Sequence, residues 1–466
     1  MSYLSPTRRD WLRLASLGCA SIGVSGLSLS HWLPALAAET AADPTRKRSC
    51  ILLWMPGGPS QIDTFDPKPG HKNGGEFKPI DTSVPGIQIS EHLPQLAKQM
   101  EHLAIIRSMQ TKEGDHGRAT YHLRTGYLPQ GPVRYPSLGS LLSHELGSET
   151  SELPNFVSVM PNRLLSPGAY GAGFLGPRFA PLVVGSEPVR RARPMGDQPA
   201  VEPPYGQPLE VRNIRSTTEV SLPQTDSRLD LLASMENDFR SQRPGLSAES
   251  HNSAYTQAVR MMRSEAVGAF NLDEEPAELR AAYGKNRFGQ GCLLARRLVE
   301  RGVPFVEVAL SDAMGGMGIG WDTHAQNFEG VKALSGVLDP AWGTLMRDLK
   351  DRGLLDSTLV VWMGEFGRTA VINGNGGRDH YPNAWTTVLG GGGIQGGQVY
   401  GQTDDGGEKV SDKPVTVPDL LATICSALGV DPTKENMSNV GRPIPLTDRG
   451  AKPITDILAS PLESSL

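Results

Sequence analysis

Short runs of apolar residues alternate with amphipathic helical segments along this chain, and this alternation most limits the folds open to it. The apolar runs predict buried strands at residues 50–55, 103–106, 303–310, 358–363 and 386–389. Apolar residues at helical spacing predict helices at residues 230–239, 292–300, 328–349 and 418–428, the last with Gly429 as its C-terminal cap. Strands that alternate with helices indicate an α/β protein with a largely parallel sheet covered on both faces.

The composition is that of a globular protein, and the charge argues against two classes of partner. The 466 residues are 38% hydrophobic and 20% charged, enough to build a core without disulfides. There are 45 Lys and Arg against 50 Asp and Glu, a net charge of -5, and no run of Lys and Arg exceeds three residues. We therefore expect neither nucleic acid nor an anionic membrane as a main partner.

The first 37 residues have the pattern of a twin-arginine signal peptide. Arg8 and Arg9 lie in the signature at residues 7–13, an apolar stretch covers residues 14–36, and Ala35 and Ala37 form a small-residue cleavage site. We expect export by the twin-arginine translocation machinery, to the periplasm or the cell exterior, with no stable membrane span after cleavage. The alternatives are an uncleaved anchor helix, for which the stretch contains too much Ser, Gly and Pro, and lipidation at Cys19.

Three cysteines remain after the leader, and their pattern predicts neither a disulfide framework nor a zinc ribbon. Cys50, Cys292 and Cys425 are odd in number, form no CxxC pair and lie in apolar segments. We expect all three to be buried thiols of the core.

The predicted strands run out into polar loops that are rich in glycine. Together with one further loop, these cover residues 57–66, 108–118, 320–324, 364–369 and 377–382. Because ligands of parallel α/β folds gather at the carboxyl ends of the strands, we expect the loop carboxylates and imidazoles to meet in one cleft. Oxygen and nitrogen donors without cysteine suit Zn²⁺, Mn²⁺, Mg²⁺ or Ca²⁺.

Single residues in these loops also have simpler interpretations. Taken alone, Asp63, Glu365 and Asp379 are more typical of helix caps or turns than of metal ligands. The arginines of the same loops could bind phosphate or sulfate oxygens through paired hydrogen bonds, and they are Arg118, Arg368 and Arg378. A separate stretch at residues 131–224 is rich in Pro, Gly and Arg with little periodicity, which predicts loops and an insertion that walls the cleft.

Several motifs together resemble one bacterial family, catalogued as domain of unknown function 1501. They are Trp321-Asp322-Thr323-His324, Gly364-Glu365-Phe366-Gly367-Arg368-Thr369, Gly377-Arg378-Asp379-His380 and Asp419-Leu420-Leu421-Ala422-Thr423. That family in turn resembles a branch of the alkaline phosphatase and sulfatase superfamily. The resemblance implies a three-layer α/β/α sandwich, with residues 38–466 as a single alkaline-phosphatase-like domain that carries the insertion at about 131–224.

The resemblance also implies metal ligands at named positions. They are Asp63, Asp322, His324, Glu365 and His380. Phe366 stands where the superfamily has a second histidine, so the second metal site would lose a ligand. No cysteine lies in the Cys-x-Pro-Ser-Arg string of formylglycine sulfatases, which excludes that class.

The catalytic residues implied by the resemblance are less complete. The segment at residues 115–119 takes the place of the nucleophile helix but lacks a Ser or Thr at its start. Thr111 and Ser108 are nearby substitutes, His116 could be a ligand or a base, and Arg118 and Arg368 could hold developing negative charge.

The function that follows from these expectations is an exported, metal-dependent hydrolase. Its substrates would be small-molecule or polysaccharide esters, of the phosphoester type or related sulfate esters. The alternative is a non-catalytic exported protein of the cell envelope, with a binding or structural role on the same scaffold.

Overall fold

The computed structural model describes residues 48–185, 209–211, 214, 221–242, 246–313 and 318–459. The predicted signal peptide lies outside the described residues. The strands are β1 (Ser49–Trp54), β2 (Pro79–Asp81), β3 (Gln88–Ser90), β4 (Leu103–Gln110), β5 (Phe156–Val159), β6 (Leu182–Val184), β7 (Phe305–Ala309), β8 (Thr358–Met363), β9 (Gly367–Arg368), β10 (His380–Tyr381), β11 (Trp385–Gly391), β12 (Gln398–Tyr400), β13 (Gln402–Thr403), β14 (Val410–Asp412), β15 (Val415–Thr416), β16 (Glu435–Met437) and β17 (Pro443–Pro445).

The α-helices of the described residues are numbered in the same way. They are α1 (Pro94–Ala97), α2 (His116–Thr125), α3 (Leu138–Leu146), α4 (Leu222–Gln242), α5 (Leu246–Arg263), α6 (Ala277–Ala282), α7 (Arg287–Glu300), α8 (Asn327–Asp351) and α9 (Val417–Ala427). Within the described part of the chain, none of them combines the length and apolar character needed to cross a membrane.

Nine strands form one mixed sheet in the order β12-β4-β11-β8-β1-β7-β5-β6, with β15 also paired to β4. Its pairs are parallel except those of β11, which runs antiparallel to both β4 and β8. This topology confirms the predicted α/β fold with a largely parallel sheet.

Helices cover both faces of the sheet, and β1 shows why. Its alternate residues Ile51 and Leu53 join a hydrophobic cluster with α7 and α8. Cys50, Leu52 and Trp54 join a second cluster with α2, α3 and α9 on the opposite face. A strand buried on both faces needs apolar residues at every position, and all six residues of β1 are buried. The three layers expected from the resemblance are therefore present.

The prediction of loops throughout residues 131–224 was wrong in three places. Helix α3 lies within this stretch, and β5 and β6 add two parallel strands to the central sheet beside β7. The two strands have four and three residues, so their apolar runs are too short to show a clear period. Much of the remainder, between residues 186 and 220, lies outside the described residues.

Two smaller expectations are confirmed. Helix α9 ends at Ala427, and Gly429 just beyond it has a φ of 75°, the left-handed conformation that glycine adopts most easily. All three described cysteines are free and buried.

The strand directions bring the polar loops to one edge. Strands β1, β4, β7 and β8 run in parallel, so the loops that follow them leave the sheet at the same side. Because β11 is antiparallel to β8, the loop that precedes β11 reaches that edge as well. The five predicted loops therefore share one edge of the sheet.

Candidate metal centre

Three side chains from three different loops form a group that could hold a metal ion. They are His116 at the start of α2, Asp322 in the loop after β7, and His380 on β10, and their ligand atoms all lie within 4.8 Å of one another. Asp322 and His380 belong to the predicted metal ligands, whereas His116 was expected among the catalytic candidates. Imidazole nitrogen and carboxylate oxygen are ordinary donors for divalent metals such as zinc.

One oxygen of Asp322 lies at the centre of this group. Its Oδ1 is 3.3 Å from Nε2 of His116, 3.1 Å from Nε2 of His324 and 3.2 Å from Nε2 of His380. The Nη2 of Arg368 donates to the same oxygen at 2.6 Å. Burial raises the pKa of Asp322, but the nearby imidazoles of His116 and His380 and the charge of Arg368 outweigh it and hold the pKa well below its ordinary value.

The imidazoles of His116, His324 and His380 each have an oxygen atom close to Nδ1, the ring nitrogen that faces away from Asp322. Nδ1 of His116 lies 2.6 Å from Oε1 of Glu365, and Nδ1 of His324 lies 2.8 Å from Oδ1 of Asp379. Nδ1 of His380 lies 2.8 Å from the backbone oxygen of Gly114. Each ring is therefore fixed on one side by an oxygen and turns its Nε2 towards Asp322.

The environment of His116 fits a cation-binding position. Burial lowers the pKa of His116, but the neighbouring carboxylates of Asp322 and Glu365 outweigh it and raise the pKa to about 9. Its Nε2 is buried and makes no hydrogen bond with the described residues, although Oδ1 of Asp322 is 3.3 Å away. A buried nitrogen that faces carboxylates without a hydrogen bond suits a bound proton or metal ion. The residues present therefore fit the divalent metal that the resemblance implies.

The backbone of the β1 loop holds the Asp322 loop in place. Gly57 has a φ of 114°, and a Cβ built on it would lie 2.4 Å from the backbone nitrogen of Asp322. The same loop receives a hydrogen bond from the backbone nitrogen of Trp321 to the oxygen of Pro56, at 3.3 Å. Only glycine allows the two loops to approach this closely.

Glu365 lies behind His116, away from Asp322. Its carboxylate is fully buried, and Oε1 accepts from both His116 and the backbone N–H of Gly57, the latter at 2.9 Å. Oε2 has no hydrogen-bond partner among the described residues. The resemblance implied a metal ligand here. The structure instead supplies an imidazole from a residue 249 positions away.

Asp63, the other predicted ligand, is engaged elsewhere. Its carboxylate is fully buried and pairs with Arg378, whose Nε lies 2.7 Å from Oδ2. Asn327 and Ser60 donate to the same oxygen, at 2.8 Å and 2.5 Å. The structure does not bring Asp63 into the group around Asp322.

The three predicted anion-binding arginines have different surroundings. Arg368 is fully buried and donates to Asp322 and to the backbone oxygens of Gly57 and Gly58. Arg378 is likewise fully buried. Both side chains are therefore closed off from solvent. This corrects the expectation that they bind oxygens of a substrate phosphate or sulfate. Arg118 exposes 48% of its side chain and pairs with Glu113 through two bonds of 2.7 and 2.9 Å.

The candidate nucleophiles have other neighbours. Oγ1 of Thr111 is 3.4 Å from Nδ1 of His122, on the same helix as His116. Ser108 is fully buried, and a Cβ on Gly401 would come within 2.1 Å of its hydroxyl, so it faces a neighbouring strand loop.

Phe366, which replaces the expected histidine ligand, packs against the imidazoles. Its ring centroid is 4.9 Å from that of His116 and 4.7 Å from that of His380. The ring therefore forms an apolar wall of the group and supplies no donor atom to it.

The sequence did not reveal that His116 meets Glu365, because the two residues are distant along the chain. The one local signal was the position of His116 in a polar loop after a strand, at the point where a helix begins. The pairing of strands β9 and β10 makes a further contact at the site, because it places Arg368 opposite His380.

Three solved structures are similar to the chain over most of its length. A protein in the alkaline phosphatase superfamily from Vibrio parahaemolyticus has 13% identity and a TM-score of 0.36, covering 87% of this chain and 76% of that one. A sulfatase from Pseudoalteromonas sp. has 14% identity and a TM-score of 0.38, covering 85% and 71%. A phosphonate monoester hydrolase from Silicibacter pomeroyi has 12% identity and a TM-score of 0.34, covering 82% and 73%.

No curated protein matches the sequence. A family model does match, over residues 47–458, which include all the strands and helices described above. The chain therefore belongs to the family described as "Protein of unknown function (DUF1501)".

Proposed function

We propose that this protein is a metal-dependent hydrolase of phosphoesters or related esters. The observation that carries the proposal is the convergence of His116, Asp322 and His380, which separate loops deliver to one point at the carboxyl edge of the sheet. A single histidine–carboxylate pair would suffice to link two loops. Several imidazoles directed at one carboxylate oxygen are instead typical of a metal site.

The residues around this point would have different roles in the reaction. A bound divalent metal would polarise an ester oxygen and favour ionisation of a nucleophile. Asp322 would bind the ion through a carboxylate that Arg368 keeps ionised. Arg118, two residues after His116 and about half exposed, would stabilise negative charge that develops on the ester. Because Ser108 is fully buried against Gly401, we assign the nucleophile to water, with Thr111 as the side-chain alternative.

The proposal includes export and a substrate found outside the cytoplasm. The twin-arginine pattern at residues 7–13 supports it, and the substrate would be a small-molecule or polysaccharide ester. His324 and Asp379 lie at the exposed side of the group, with 46% and 55% of their side chains accessible. Substrate would therefore approach from that side.

Two observations favour the alternative of a non-catalytic envelope protein. Phe366 supplies no ligand where the superfamily has one, and Arg368 and Arg378 are buried. An ion at Asp322 would then stabilise the loops, and the same edge would bind a partner or a polysaccharide.

The experiment is metal analysis combined with an ester-hydrolysis assay on the mature protein. We expect about one equivalent of a divalent metal, and metal-dependent hydrolysis of an aryl phosphate, an aryl phosphonate or an aryl sulfate. The variants Asp322→Asn and His380→Ala should lose both the metal and the activity. The matched control is His144→Ala, because His144 contacts Glu145 and Phe179 on another part of the fold.

The outcomes separate the two functions. If the protein binds metal but cleaves none of the three esters, the proposal of a hydrolase fails and the proposal of a non-catalytic binding protein is favoured. If the protein takes up no metal, the proposed metal centre is wrong. It is also wrong if the Asp322→Asn and His380→Ala variants keep their metal and activity.

A further inference from the structure

We propose that Glu365 and Asp379 are positioning residues, which fix the orientation and the tautomer of His116 and His324 so that both Nε2 atoms face a metal at Asp322. The inference rests on the proposed metal centre and deepens it. It also changes the role of Glu365, which was expected from the sequence to be a ligand.

The first of the three rings is His380, whose Nδ1 faces a backbone carbonyl. A backbone carbonyl can only accept a hydrogen bond, so the contact of 2.8 Å to the oxygen of Gly114 requires the proton on Nδ1. The Nε2 of a neutral His380 then carries the free electron pair. This nitrogen lies 3.2 Å from Oδ1 of Asp322.

Glu365 and Asp379 place the same kind of acceptor behind the other two rings. Oε1 of Glu365 is 2.6 Å from Nδ1 of His116, and Oδ1 of Asp379 is 2.8 Å from Nδ1 of His324. An ionised carboxylate is an acceptor only, so each favours a proton on Nδ1. All three rings therefore present Nε2 to the same point, 3.1 to 3.3 Å from Asp322 Oδ1.

The geometry also argues against coordination by the carboxylate oxygens that contact the two rings. The carboxylate oxygen nearest to each ring meets Nδ1, on the side of the imidazole opposite to Nε2. Oε1 of Glu365 is occupied a second time by the N–H of Gly57, and Oδ1 of Asp379 also accepts from Asn373 at 3.2 Å. A carboxylate behind a ligating histidine orients the ring and raises its basicity.

Glu365 and Asp379 differ in burial, so the roles of the two carboxylates can be tested without relying on a buried substitution alone. Glu365 is fully buried, so its substitution could disturb folding. Asp379 is 55% exposed, so its substitution should leave the fold intact. The exposed Asp405 is a matched control, because it lies in the turn between β13 and β14.

The experiment is a titration of the metal-stripped full chain with Co²⁺, followed by its visible absorption spectrum, and competition by Zn²⁺. We expect Asp379→Ala and Glu365→Gln each to weaken metal binding by about 10- to 100-fold. Asp379→Asn keeps an oxygen acceptor and should restore part of the affinity. Asp405→Ala should bind like the wild type, and circular dichroism should show unchanged folding of the Asp379 variants.

Three results would overturn the inference. One is an Asp379→Ala protein that is folded and has the affinity and Co²⁺ spectrum of the wild type. Another is Asp379→Asn that binds no better than Asp379→Ala. A third is complete loss of metal from Asp379→Ala, as expected of a ligand. If the variants behave as expected while no ester is cleaved, the positioning roles stand and the proposed hydrolase fails.

Discussion

Asp63 and Arg378 form a bidentate ion pair in which both side chains are fully buried. Nε of the arginine lies 2.7 Å from one carboxylate oxygen, and Nη2 lies 3.0 Å from the other. The pair joins the β1 loop to the loop before β10, at residues separated by 315 positions. It therefore links the β1 loop, which packs against the Asp322 loop, to the loop that leads to His380.

The first prediction concerns this pair. Asp63→Asn leaves the charge of Arg378 buried without a counter-ion, and should lower the free energy of unfolding by about 3–5 kcal/mol. The control is Asp226→Asn, which removes an exposed pair with Arg263 and should cost at most about 1 kcal/mol. Urea unfolding measures both. If Asp63→Asn unfolds like the wild type but has lost its metal, Asp63 is a ligand after all.

The second prediction concerns the contact between Gly57 and the Asp322 loop. Gly57→Ala combines a left-handed backbone with a Cβ placed 2.4 Å from a backbone atom, so it should destabilise the protein and weaken metal binding. Gly70→Ala is the control, because Gly70 has a φ of 77° and no atom within 4 Å of the added Cβ. It should show only the backbone cost, about 1–2 kcal/mol. Equal stability and equal metal affinity of the two variants would contradict the steric argument.

The third prediction concerns removal of the metal. An ion that binds only the folded protein stabilises it by about 2.7 kcal/mol when its concentration is 100 times Kd. We therefore expect a chelator to lower the melting temperature, and the added metal to restore it. The His380→Ala protein should melt at the same temperature with and without chelator. A wild-type protein that melts identically in both conditions, after verified metal loading, would speak against a bound ion.

The fourth prediction concerns pH. Burial raises the pKa of Glu145, but hydrogen bonds with His144 and Lys434 outweigh it and lower the pKa to about 2, from an ordinary value of 4.5. A carboxyl with a depressed folded pKa stabilises the protein above its unfolded pKa, and this contribution is lost as the pH falls towards the folded value. Glu145→Gln should therefore be less stable than the wild type near neutral pH, and the difference should shrink between about pH 4.5 and pH 2.

The measurement is urea unfolding at a series of pH values. Glu435→Gln is the control, because the pair of Glu435 with Arg449 is exposed, and its effect on stability should be small throughout. A Glu145→Gln difference that stays constant or grows as the pH falls would contradict the assignment.

The pattern of apolar residues predicted most of the sheet. Strand β8 was predicted with its observed bounds, and β1 within one residue at each end. Continuous apolar runs of this length are local signals, since a strand buried on both faces needs an apolar residue at each position. Strands β5, β6, β12 and β15 were missed because two to four residues carry too little periodicity.

The candidate site was predicted less completely. The sequence located the polar loops, and Asp322, His324 and His380 do lie together. It assigned Asp63 and Glu365 to the metal, whereas the structure pairs them with Arg378 and His116. A carboxylate in a glycine-rich loop has the same local pattern in either role.

The longer strands and helices, and the loops that carry polar residues, follow from local sequence, because periodicity and chain breaks are properties of neighbouring residues. Which polar groups meet depends on contacts between distant parts of the chain. His116 and Glu365 are 249 positions apart, and Asp63 and Arg378 are 315 apart. Their pairing depends on strand order and direction, above all on β11, whose antiparallel course brings the loop before it to the site edge. Burial then requires each charged group to find a partner, and that requirement separates ligands, positioning residues and structural ion pairs.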